Sequence, residues 1–341
     1  MGAGDRLVDP ESPVYREFVR LYQIARSLRP TAVDRWSGNL WATQAETWGG
    51  FDPITGDLRL SDPLVLRHLD RSTTTTPDRQ AQALATVLHE ATHACMETDA
   101  PDDRNAVRSP VSKGLMEGIA EVRAVEDFDA FARRAGYPDL PMPTPTYPGA
   151  HAAATSLLNQ CAGPSMSWEA MIGVVTRGPG ALHFDQLADG VLRNRLAEVV
   201  PVADRQATRA ALIATMTHPM WPMLPGRPQD AGRVTADEIK RSLNAKVEEI
   251  RHHYRTSPQQ PFPADFPNAA RHPAEGEPTR SLLTATPDEA ERQEVGTMRF
   301  LSGQAPAAHA TRAAASSLGD GSRSTRTSAG RATPGLDRGA D

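Results

Sequence analysis

The stretch Leu84-Ala-Thr-Val-Leu-His89-Glu90-Ala-Thr-His93-Ala-Cys95 decides how the rest of the chain is read. Its centre is H-E-x-x-H. On a helix, positions four apart lie one above the other, so His89 and His93 can present two imidazoles to one cation. Glu90 sits about 100° round the helix from His89, where it can reach a water on that cation. Two neutral imidazoles plus a carboxylate suit a single zinc ion and leave a fourth position open. Upstream, Thr76-Pro77-Asp78 supplies an N-cap, a first-turn proline and an acid at the positive helix end. Ala81, Leu84, Ala85, Leu88, Ala91, Thr92 and Cys95 are spaced to bury one side of this helix.

A carboxylate for the third position lies downstream, in Ser109-Pro110-Val-Ser-Lys113-Gly114-Leu-Met-Glu117-Gly118-Ile-Ala-Glu121. Ser109 with Pro110 reads as a cap and first turn, and Gly136 before Tyr137-Pro138 closes the predicted helix. Glu117 and Glu121 share a face, with Gly114 and Gly118 near it. A glycine inside a helix costs up to about 1 kcal/mol against alanine. That cost makes sense if another helix backbone comes close and brings the carboxylate up to the histidines.

Together these two segments resemble the gluzincin group of zinc metallopeptidases, the thermolysin-like class with H-E-x-x-H and a downstream glutamate. The string Glu117-Gly118-Ile119-Ala120 looks like the E-G-x-A element that carries the glutamate ligand in many aminopeptidase-type members. The resemblance implies His89, His93 and Glu117 as ligands of one zinc ion and Glu90 as general base. Glu121, four positions after the glutamate ligand, matches the acid that orients the first histidine in thermolysin-like enzymes. It also implies a small sheet ahead of the zinc helix, whose edge strand holds an extended substrate by main-chain hydrogen bonds. Metzincins would need a third histidine soon after the motif, and residues 94–106 contain none.

Working outward, residues 13–28 read as a helix capped by Ser12, with Val14, Phe18, Leu21, Tyr22 and Leu28 as its apolar stripe. Residues 35–41 read as irregular. Trp48-Gly-Gly-Phe51, a four-residue turn and Asp57-Leu-Arg-Leu60-Ser61 read as a hairpin, and residues 63–69 as a short helix. After a proline-rich passage at 138–148, helices are expected at 150–160, 168–175, 184–199 and 203–217. Thr235-Ala-Asp-Glu238 reads as a capping box opening a helix to about Tyr254. The expected fold is therefore α+β and mostly helical. A small N-terminal sheet packs on the H-E-x-x-H helix (upper part, residues 1–136), and a helical subdomain follows (residues 137–256). Residues 257–341, rich in Pro, Ala, Ser and Thr, read as a disordered tail, because such a segment cannot offset its ordering entropy. Within it, residues 286–301 carry a second capping box and a short amphipathic pattern that could dock on a partner or on the cleft.

Composition narrows the classes. With 39% hydrophobic residues, a formal charge of −5 and no basic block, nucleic acid is not an expected partner. No run is long enough to span a bilayer, no signal peptide is evident, and Cys95 and Cys161 alone imply no disulfide framework. A cytoplasmic location is the resulting expectation. The leading functional expectation is hydrolysis of a peptide or protein substrate by a metal-activated water, with Glu90 as base. Hydrolysis of this kind also needs a neutral donor for the developing oxyanion. Tyr147 and His151 head the candidates, with Tyr137, His183 and His218 behind them. The alternative is a non-catalytic relative or helical scaffold that binds a partner through its tail.

Overall fold

A four-stranded sheet in the order β1-β2-β4-β3 lies against two long helices at the amino-terminal end. The computed structural model describes residues 5–268, and all of these fall within one compact unit. The sheet comprises β1 (Arg6–Leu7), β2 (Leu40–Thr43), β3 (Gly49–Phe51) and β4 (Leu58–Ser61). The hairpin of β3 and β4 has the expected turn, pairing Gly49 with Leu60 and Phe51 with Leu58. The sequence reading missed β1 and also β2, which slots in parallel to β4 (Leu40 opposite Leu58), its first residues falling where an irregular passage was expected. Just before β2, Trp36 packs edge-on against Phe18, with Tyr15 and Tyr22 beside it.

Helix α1 (Pro13–Leu28) is capped by Ser12, whose side chain accepts from the Tyr15 amide. After β4 a π-type turn (Asp62–Leu66) and α2 (Arg67–Leu69) lead to α3 (Pro77–Ala94). Thr76 caps α3 as the sequence implies, and every residue from Ala83 to Ala94 is buried. Leu84, Val87 and Leu88 join Phe18, Leu21, Leu40, Leu58 and Leu60 in one apolar core. Sheet, α1 and α3 are therefore held together by large side chains.

The second core is helical. It combines α4 (Pro110–Glu126), α6 (Pro148–Cys161), α7 (Trp168–Val175), α8 (His183–Val191), α9 (Arg205–Met216) and α10 (Gln229–Thr256) around Leu157, Phe184, Leu212, Trp221 and Leu243. The helix expected to run from Pro110 to Gly136 breaks at Asp127, giving α4 and a separate α5 (Phe128–Arg134). Asp127 takes both guanidinium contacts from Arg29 at 2.7 Å, which ties this corner to the end of α1. Helix α10 starts seven residues earlier than the capping box suggests, with Pro228 rather than Thr235 at its N-cap. Thr235 is buried inside it, and Gly232 seats against the Gly149 carbonyl, so packing overrides the local cap signal. Residues 257–268, expected to lie in a disordered tail, are ordered. Phe262 is buried in the helical core, and Asn268 donates its backbone N–H to the Arg104 carbonyl and its side chain to the carbonyls of Pro101 and Asp103. Residues 269–341, including the expected segment 286–301, lie outside the described residues. Among the described residues no helix is long and apolar enough to cross a membrane.

Candidate metal centre

Helices α3 and α4 cross where the two cores meet. Their backbones are set by different contacts. Gly118 faces α6, where a methyl group would lie 2.7 Å from the Ala150 carbonyl, and at Gly114 it would overlap the Trp221 carbonyl. The glycines thus serve the expected close approach of another helical backbone, that of α6 at Gly118 and that of the short helical turn Trp221–Gly226 at Gly114. The effect on the site is also the one expected. Pressed from behind, α4 delivers Glu117 to the histidines. On α4's inner side Arg123, almost fully buried, donates to Thr92 at 3.1 Å and to the Ala25 carbonyl at 2.7 Å. The first bond ties α4 to α3 one residue before His93, and the second ties it to α1.

The result is a triangle of donors. His89 Nε2 lies 3.1 Å from His93 Nε2 and 3.3 Å from Glu117 Oε2, and His93 Nε2 lies 3.5 Å from the same oxygen. A tetrahedral ion with bonds of about 2.0–2.2 Å sets its donors about 3.3–3.6 Å apart, so all three edges fall within about 0.2 Å of that geometry. All three side chains are buried, and among the described residues they form the one His/Cys/Asp/Glu group close enough to share a metal ion. The two imidazole nitrogens and the carboxylate oxygen converge on one point at the chamber wall. The donor set and its geometry therefore fit one divalent ion.

Electrostatics within the group are strong. Burial would raise the Glu117 pKa, but His93 and His89 hold it far below the usual carboxylate range. Burial would lower the His89 pKa, yet the Glu117 and Glu121 carboxylates against its ring raise it well above the usual value. Burial pushes the Glu90 carboxyl upward, with the two histidines opposing. Glu121 works with both oxygens. Its Oε1 lies 3.2 Å from His89 Nδ1, inside ion-pair distance though off the line of an ideal hydrogen bond. Its Oε2 accepts the Thr146 amide at 3.1 Å. One carboxylate thus steadies the His89 ring and the turn that presents Tyr147, a coupling that sequence spacing could not reveal.

Two chambers flank the centre and share Glu90 and Tyr147 in their walls. The larger encloses about 660 Å³, mouth included, between Phe51 and Pro53 on one side and Lys113, Met116 and Ala181 on the other. The smaller lies over Trp48, Gln82, Thr86 and the Pro143–Thr146 passage. Strand β3 runs along both as the outer strand of the sheet. Ser61 donates to the Trp48 carbonyl and Asp52 to the Asp57 carbonyl, so in the antiparallel alternation the Gly49 and Phe51 N–H and C=O point away from β4. Gly49 is pressed so near the centre that a methyl there would lie 2.9 Å from Glu90 Oε1. A Gly-Gly pair inside a strand signals such close approach, although the sequence reading did not use it.

The remaining candidates separate. Tyr147, at the N-cap of α6, packs edge-on against the His89 ring with centroids 5.7 Å apart. Burial and the three nearby glutamates raise its pKa strongly, so it remains a neutral O–H donor. His151, one turn further on, lines a different groove with Arg233 and Lys240 and is not among the residues lining either chamber. Tyr137 donates to Glu17, and His218 pairs with Glu238. His183 is fully buried, lines neither chamber, and burial lowers its pKa to about 3. Comparison with known proteins finds no matching family model, no matching curated protein and no matching solved structure.

Proposed function

We propose that the protein is a zinc-dependent peptidase of gluzincin type, acting on extended peptide segments. The observation that carries this reading is the triangle of His89, His93 and Glu117 with Glu90 in the wall beside it. Two imidazoles and one carboxylate with an open position is the donor set of catalytic zinc rather than of a closed structural site. When bound, zinc would lower the pKa of a coordinated water and polarise the substrate carbonyl. The chain supplies the rest. Glu90 accepts the proton from the attacking water and passes it to the leaving amine. Tyr147, kept protonated, donates a hydrogen bond to the developing oxyanion. The outward N–H and C=O groups of Gly49 and Phe51 hold the substrate main chain as an added strand, whatever its side chains.

Metal analysis of protein purified without chelator is expected to give one zinc per chain. Glu90→Gln should retain the metal and lose about 10²- to 10⁴-fold in peptide hydrolysis. His93→Ala should lose both. Hydrolysis by Glu90→Gln equal to wild type would refute the assignment of the base, and metal-free wild type would refute the centre itself.

A further inference from the structure

Lys113 lies four residues before Glu117, on the same face of α4, and lines the larger chamber. Among the described residues it is the only lysine or arginine in either chamber wall. The other charged groups there, Glu90, His93 and Glu117, belong to the centre. Lys113 is part-buried in a mixed wall, with Phe51, Pro53, Met116, Gly180 and Ala181 small or apolar and Thr98 and Ser112 polar. The Glu117 carboxylate four residues on acts on its charge. An ammonium in such a setting attracts an anionic group far more strongly than one in open solvent. The far side of that wall is rigid. Gly180 and Ala181 donate to the Glu97 and Thr98 carbonyls at 2.8 and 3.0 Å, so the chamber keeps its shape.

Direction follows from β3. The strand runs from Trp48 and Gly49, in the smaller chamber, to Phe51 and Pro53, in the larger. A segment added to it in the slightly more stable antiparallel sense would place its amino-terminal half beside Phe51 and Lys113. Its carboxyl-terminal half would then lie over the smaller chamber, whose charged lining is His89 and the acids Glu90 and Glu121. Among the described residues that chamber offers no lysine or arginine to a free carboxy terminus.

We propose that Lys113 is a specificity-determining residue that selects peptides carrying an acidic side chain on the amino-terminal side of the cleaved bond, an inference that rests on the peptidase reading above. The side-chain methylenes pack on Phe51 and Met116 while the carboxylate reaches the ammonium.

The test uses full-length, zinc-loaded protein and an end-blocked peptide library with one position fixed as Glu or as Gln, scored for retention on the protein and for cleavage. A second pair of libraries, without fixed acids, differs only in a free or amidated carboxy terminus. Wild type should favour Glu over Gln by about tenfold in both readouts, with Glu amino-terminal to the cut. Lys113→Met should abolish the preference, Lys113→Glu should shift it to basic residues, and Lys113→Arg should restore it, all with zinc content unchanged. Equal retention of the Glu and Gln libraries overturns the inference. So does a preference that follows the free terminus, or loss of zinc rather than of selectivity in Lys113→Met, which would make the lysine a mere counter-charge to Glu117. Selective retention without cleavage of any library would sustain carboxylate recognition and sink the peptidase reading.

Discussion

Helices α3 and α4 bring their functional groups to the same point, but the contacts that hold them differ in kind. Helix α3 is embedded through large side chains, with Leu84, Val87 and Leu88 interlocked with the sheet and α1. Helix α4 buries Leu115, Ile119 and Val122 in the helical core, but it is also seated through bare backbone, with Gly114 against the Trp221 carbonyl and Gly118 against that of Ala150. Side chains can change rotamer to absorb a small change in volume, whereas two backbones in contact cannot. The carboxylate half of the centre therefore rests on the less forgiving support.

That contrast can be broken by substitution. Gly114→Ala should cost about 3 kcal/mol, since overpacking here meets backbone and outweighs the alanine's helix preference. Leu88→Met on α3 should cost under about 1.5 kcal/mol. Urea unfolding of the two variants measures the gap, and equal losses would dissolve the distinction. A smaller effect is expected at Glu121, which belongs to α4 but serves α3. Glu121→Gln should weaken metal binding about 10- to 100-fold in competition with a chromogenic chelator. It should also lower turnover at saturating metal, because the Thr146 amide loses its charged acceptor and Tyr147 its fixed turn. A defect fully repaired by excess metal would leave Glu121 with the His89 ring alone. The smallest change is Asn268→Ala, expected to cost about 1 kcal/mol in unfolding, because its side chain fastens only the connection between the two helices.

Much of α3 could be read from a short window. The cap at Thr76, the apolar spacing and H-E-x-x-H are all local, and a helix fixes the relation of His89 to His93 by its pitch alone. Glu117 was legible by resemblance, but its delivery to the histidines depends on α6 and the Trp221–Gly226 turn, which lie far along the chain. The same distance explains the misplaced start of α10, where contact with Gly149 outweighs the capping signal at Thr235. Strand β2 was hidden because it is short and its parallel partner is reached only through the intervening hairpin. His151 was a candidate on chemistry without any periodicity to aim it, and one helical turn was enough to carry it off the cleft.

After the long α10, the polypeptide returns to be stitched by Asn268 to residues 101–104, midway along the link from His93 to Glu117. Whatever pulls on the chain past that point, a tethered partner or a processing machine, would transmit its load first to that link. Residues more than 160 positions apart in sequence would thus share a mechanical fate.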